Sequence, residues 1–302
     1  MTCFHVVHSN SNNQEIVNSL QSFAASGVKG SDAQFTRNLN RRLSDLVGGQ
    51  EHRLAVGAAI ERVWASFRGV MLSGFAFKHP DGDFLVDHLL VNKLGNVMIF
   101  QCASFAAGES VCVDAQGAWR VGGDGDTYTL ASPLDAAQVL RDKLTWVLSN
   151  SCEVDLPFVV NENTVTAAVV ISDRVNFSSG EKKLPVLHVG ELGNEKRLRE
   201  IRSEQFIFSG GSFDPEKADE VLALRDHIQI FGSFLSTDLS RPASLVEDTL
   251  AALQALAFEP SANFYLQDAE ADESSVASGV DSKALPAAQS VALTRREAAL
   301  AA

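Results

Sequence analysis

Cysteine is scarce and scattered in this sequence: Cys3, Cys102, Cys112 and Cys152 form no CxxC pair, and no His stands at zinc-finger spacing from them. Such a pattern excludes a disulfide scaffold and a structural zinc site, and it fits thiols kept reduced. No apolar run reaches the roughly 18 residues that a membrane span needs. The start, MTCFHVVHSNSNNQE, lacks the basic and long apolar regions of a secretory signal. A cytoplasmic location without a membrane partner is therefore expected. Basic residues are also few, 25 Lys and Arg against 38 Asp and Glu, for a net charge of -13. A protein that coats nucleic acid needs clustered cations, so that class is excluded, although a local groove is not. Also absent are a Gly-x-Ser-x-Gly elbow, a phosphate loop and a dinucleotide fingerprint, which removes support for hydrolase, NTPase and oxidoreductase readings.

What is present is enough apolar residue for a core, 45 % with 18 Phe, so wholesale disorder is excluded. The acidity is uneven. Residues 1–53 carry 5 basic and 4 acidic groups, 54–205 carry 14 and 19, and 206–302 carry 6 and 15. The first stretch reads as a polar lead-in with a surface helix near 35–46, and 54–70 as a largely buried helix. DFLVDHLLVN and VMIFQCASF, joined through KLGN, predict a β-hairpin covered on both faces. Centring its turn on Leu94 sets Asp87 opposite Gln101. SVCVDAQGAWRV turns near Gln116-Gly117 as a further hairpin, with GGDGD as the next turn. Counted as a calcium loop from Asp124, GGDGD would reach Asp135 where Glu is required, so a hairpin turn is the better account. PLDAAQVLRDKLTWVL predicts a helix opened by Pro133. VTAAVVISD and LPVLHVGEL predict further strands, and strands after a crossover helix predict a mixed α/β sheet. Residues 206–266 read as a helical segment and 267–302 as a disordered acidic tail.

GAAIE (57–61), VDHLLV (86–91), Gly95, FQCAS (100–104), Trp119 and SPLDAAQ (132–138) follow one another in an order and spacing that matter together. Over 57 to about 201, half of the chain, they resemble the nuclease-related domain (NERD) family. That family is a branch of the PD-(D/E)XK nuclease superfamily with a restriction-endonuclease-like fold. The resemblance implies a mixed sheet flanked by helices over 54–205, a bacterial setting and DNA as partner. It also implies a Mg²⁺ site to which Glu61 and Asp87 contribute, because hard cations take oxygen ligands. The bound metal would stabilise charge on phosphate and activate water.

The departures from the family pattern are chemical. Its Glu-x-Lys reads Gln101-Cys102-Ala103 here, and Ile60 stands where the family has Gly. Gln101 offers a neutral amide oxygen as metal ligand, and Ala103 has no charge. By analogy with loss of an oxyanion donor, a missing preorganised cation costs about 10² to 10³ in rate. Arg141 and Lys143, on the helix after Pro133, are candidates for a migrated cation. The expected function is accordingly a catalytically impaired nuclease homologue acting as a DNA-associated or protein-binding module. One alternative is an active Mg²⁺-dependent nuclease, and another is a structural protein whose acidic C-terminal side meets a basic partner. Each candidate also has a purely structural account. Asp87 could pair with His88 or an Arg, Glu61 with Arg62 or Arg68, Gln101 could be a satisfied buried amide, and Cys102 a small hydrophobe.

Overall fold

The computed structural model describes residues 4–9, 13–25, 33–65, 69–92, 95–105, 108–114, 116–122, 127–151, 154, 156–157, 160, 164–180, 184–194, 196–198, 200–201, 244–264 and 266. Expectations for residues 206–243, for residues 123–126 of GGDGD and for the tail from 267, just past the described residue 266, lie outside them. The elements are β1 (Phe4–His8), α1 (Asn13–Ala25), α2 (Ala33–Trp64), β2 (Gly69–Phe77), β3 (Phe84–Asn92), β4 (Val97–Cys102), β5 (Ser110–Val113), β6 (Trp119–Gly122), β7 (Thr127–Leu130), α3 (Pro133–Asn150), β8 (Val165–Ile171), β9 (Asn176–Ser178), β10 (Val186–His188), α4 (Ser244–Leu256) and β11 (Ala257–Phe258).

The protein is mixed α/β. Its main sheet has the order β1-β2-β3-β4-β8-β10, with β11 also on β2, and a smaller sheet has the order β7-β6-β5-β9. In the main sheet β2, β3 and β4 are antiparallel neighbours, while β8 runs parallel to β4 and β10 parallel to β8. The central strands are buried on both faces, which is why they read as continuous apolar runs rather than alternations. On one face Leu72, Leu89, Ile99 and Val169 pack with Leu140 and Leu144 of α3 and Leu253 of α4. On the other, Met71, Leu90, Phe100 and Val170 pack with Val56, Ile60 and Trp64 of α2. Among the described residues no helix is long and apolar enough to cross a membrane.

The β3–β4 hairpin has the anticipated register, with Val91 opposite Val97 and His88 opposite Phe100. α3 begins with Pro133 in its first turn, and Ser132 Oγ accepts a hydrogen bond from the Asp135 N–H at 3.2 Å. Ser132→Ala removes that cap and is expected to lower stability by about 1 kcal/mol, read as a shift of the urea midpoint at unchanged slope.

Three local expectations are revised. The surface helix and the buried helix are one helix, α2, which runs unbroken through residue 53. It ends at Trp64 rather than near residue 70, and GVMLSGFAF becomes strand β2. A continuous apolar stretch carries no period to separate helix from strand, and β2 is buried at nearly every position. Gly69 permits this turn into the sheet, because a Cβ there would lie 2.6 Å from the Val91 carbonyl oxygen. In the polar lead-in, Phe4–His8 pairs with β2 as a strand of the main sheet.

Candidate functional site

Asp87 sits where strand pairing lapses on both sides. The β2–β3 register runs from Gly69 opposite Asn92 to Phe77 opposite Phe84 but skips the Gly74–Asp87 position. Gly74 has φ +74°, a conformation natural to glycine. Towards β4 the ladder stops at His88–Phe100, one step before Asp87 and Gln101 would pair. Side chains replace the missing rungs: the Cys102 N–H donates to Asp87 Oδ2 at 2.8 Å, and the Asp87 N–H donates to Gln101 Oε1 at 3.4 Å. The strands thus part at the carboxylate while side-chain bonds hold them in register.

Helix α2 closes over this point with polar groups. Arg53 Nε lies 4.0 Å from Asp87 Oδ1. His88 Nε2 lies 3.1 Å from the Arg53 carbonyl oxygen, and His88 Nδ1 lies 2.8 Å from Ser73 Oγ. A carbonyl only accepts, so Nε2 carries the proton and Nδ1 accepts from the Ser73 hydroxyl. His52 Nε2 donates to the Val170 carbonyl at 3.0 Å, joining the same helix to β8. Beside these groups opens a cleft of about 490 Å³, lined among others by Arg53, Leu54, Glu61, Ser73, Asp87 and His88.

Burial governs the electrostatics. It raises the Asp87 carboxyl above its ordinary range, against the opposing pull of Arg53, the Cys102 N–H and His52. It pushes the His88 imidazole down to about 3, so the ring is neutral at physiological pH. The Cys102 thiol is pushed far up by burial and by the neighbouring Asp87. A neutral thiol among apolar neighbours packs rather than reacts.

The sequence candidates separate into two groups. Asp87 and Gln101 touch, and Glu61 lines the same cleft, 2.9 Å from His8 Nε2; Arg68, one of its expected partners, lies outside the described residues. Arg141 and Lys143 belong to α3, which packs on the opposite face of the sheet from α2. Arg141 is bonded to Asp142 at 2.8 Å, and Lys143 Nζ donates to the Gly82 carbonyl at 3.2 Å. Neither lines the cleft. The cation beside Asp87 is Arg53, which was not singled out in the sequence, nor was Ser73; His88, considered as a partner of Asp87, instead bonds Ser73 and the Arg53 carbonyl. Two signals were available: a carboxylate inside an apolar run needs a partner, and glycines interrupt α2 at 49 and 57.

A Mg²⁺ ion would have to draw on Asp87, Gln101 and Glu61. One Asp87 oxygen holds the Cys102 N–H and the other faces Arg53, the Gln101 oxygen holds the Asp87 N–H, and Glu61 is joined to His8. Among the described residues no three His, Cys, Asp or Glu side chains converge. Each of these oxygens already has a hydrogen-bonded or charged partner in this structure, with which a divalent cation would have to compete. Comparison with protein-family models, with curated proteins and with solved structures finds no match.

Proposed function

We propose that this chain is a nuclease-related (NERD-like) protein of restriction-endonuclease-like type whose metal site is retired, and that it acts as a DNA-associated module. The observation that carries this reading is the buried Asp87 at a parting of β3 and β4, with Gln101 across from it and Arg53 where a metal would offset its charge. Supporting it is the order in which the quoted motifs fall. GAAIE lies in α2, VDHLLV in β3, Gly95 in the turn, FQCAS across the end of β4, Trp119 at the start of β6 and SPLDAAQ at the opening of α3. A sequence motif is informative when its structural setting agrees with its proposed role. Function still has to be argued from the site, and here the site lacks the acid and the lysine of Glu-x-Lys.

Incubation of the purified protein with single- and double-stranded DNA in Mg²⁺ or Mn²⁺ is expected to give no cleavage above that of an Asp87→Ala control. Cleavage that the control abolishes would instead favour an active nuclease using Arg53 as its cation. A basic protein partner is the competing non-enzymatic reading, favoured by the 15 acidic against 6 basic residues of 206–302. Salt-sensitive binding to such a protein with none to DNA would select it.

A further inference from the structure

β1 and β10 end the strand order of the main sheet, and their outer edges differ. At β10 the Val169 N–H donates to the Pro185 carbonyl, so alternation along the strand turns the Val186 carbonyl outward. Arg197 Nη2 donates to that carbonyl at 3.1 Å and to the Leu184 carbonyl at 2.8 Å, which closes this edge to a further strand. At β1 the Ser9 N–H donates to the Ser73 carbonyl at 2.9 Å, so the same alternation turns the N–H and C=O of Phe4, Val6 and His8 outward. Among the described residues nothing takes those groups. FHVVH also lacks the Lys or Pro with which exposed edges are commonly blunted. The same three residues set their side chains on the α2 face: the Phe4 ring lies 6.4 Å from that of Trp64, Val6 packs on the cluster of Val56 and Ile60, and His8 meets Glu61. The α2 wall beside them is held close, since a Cβ on Gly57 would lie 3.1 Å from His88 Cε1 and one on Gly49 would lie 3.1 Å from Arg53 Nη1.

We propose that the outer edge of β1 takes an extended segment of a basic partner protein as an added antiparallel strand, with a Lys or Arg beside His8 reaching Glu61 and an apolar residue beside Val6. This interaction goes beyond the DNA-associated role and does not depend on it. In an antiparallel pair, residues that face each other exchange both backbone bonds and share a face of the sheet, so the outward groups of Phe4, Val6 and His8 fix which partner side chains meet α2. Main-chain bonds then supply affinity and the cleft supplies specificity. The side chain beside His8 enters the cleft at its β1 end, where His8, Ser9 and Glu61 line it. Leu54, 63 % exposed, covers the aliphatic stem of a lysine there, and Glu61, 41 % exposed, meets its ammonium. Charge selects the partner. Arg53 is engaged by Asp87, whereas among the described residues Glu61 is met by His8 alone, through Oε1. The charge presented to a newcomer is therefore the Glu61 carboxylate, on a chain of net charge -13 that attracts basic segments and repels acidic ones.

The test is fluorescence anisotropy of the labelled peptide Thr-Lys-Thr-Val-Thr-Val-Thr with the full chain. Antiparallel addition sets its Lys beside His8 and its two Val beside Val6 and Phe4. Wild-type protein is expected to bind it with a Kd below about 1 mM, and to bind the counterpart with Glu for Lys at least about fivefold more weakly. The same peptide N-methylated at its Lys and both Val keeps every side chain but cannot donate to β1, and its binding is expected to be lost. Glu61→Gln should weaken the Lys peptide about two- to fivefold, the effect of a half-exposed ion pair, and the difference should vanish in high salt. Val6→Pro removes an outward donor at an edge position where proline is tolerated, and should weaken binding at least about tenfold, with circular dichroism verifying that the fold is intact. No binding of the Lys peptide to wild type, or undiminished binding of its N-methylated form, would overturn the added strand whatever the variants do. Equal binding of the Lys and Glu peptides would overturn the basic partner.

Discussion

Acid is expected to destabilise the wild-type protein through His88 by about 2 kcal/mol between pH 6.5 and 4.5, the slope approaching about 1.4 kcal/mol per pH unit below pH 6. The sign follows from the proton count. The His88 imidazole is held neutral down to about 3, whereas in the unfolded chain it takes up a proton below its ordinary value of 6.5. In that window the unfolded state binds more protons, so stability is full above about pH 6.5 and is lost as pH falls towards 3. Asp87 acts in the opposite sense. Its carboxyl is raised above the ordinary 3.8, so the folded state protonates first and gains stability as pH falls through the raised value. His88→Asn separates the two contributions. At pH 7 it is expected to cost about 2 kcal/mol, because Ser73 and the Arg53 carbonyl lose their shared partner. Below pH 6 its stability should fall much less steeply than wild type. Urea midpoints at half-unit pH intervals measure both curves, and parallel curves would show that His88 is not the group being titrated.

Arg53→Met should destabilise the protein by about 2 to 4 kcal/mol at pH 7.5, since it leaves the Asp87 carboxylate buried without its cation. Asp87 is 4 % exposed, and the Arg53 Nε at 4.0 Å is the first of the groups that ease its burial. Asp87→Asn in wild type should cost little, because an amide oxygen can still accept the Cys102 N–H and no charge needs compensation. In the Asp87→Asn background, Arg53→Met should therefore cost less than about 1 kcal/mol. The difference between the two backgrounds is the coupling energy of the pair. Equal costs in both would mean that Arg53 stabilises the fold through its packing on α2 rather than through Asp87.

Much of the fold was legible because it is encoded locally. The Gly-containing turn and two apolar runs of matched length were enough to predict the β3–β4 register, and Pro133 after Ser132 marked the start of α3. The sheet's outer half was less visible. Phe4–His8 sits in a polar context, and GVMLSGFAF lacks any period, so the pairing of β1 and β11 on either part of β2 had no local signature. At the site, the hairpin arithmetic brought Asp87 to Gln101, but it could not supply the cation. Arg141 and Lys143 lie on a helix that covers the other face of the sheet, while Arg53, 34 residues before Asp87, lies on the helix that packs over the carboxylate, and sequence spacing does not tell the two faces apart.

By itself, then, the sequence determined the mixed α/β class, the central hairpin with its register, and the neutral side chains of Gln101 and Ala103 beside Asp87, because these depend on period, turn chemistry and residue identity. Only the tertiary structure decided that α2 is one continuous helix, that its glycines seat Arg53 and His88, and that β2 to β4 part at Asp87. Those outcomes depend on which distant surfaces meet and on how a buried carboxylate finds its counter-charge, and a buried charge is compensated by whatever group the packing brings within reach.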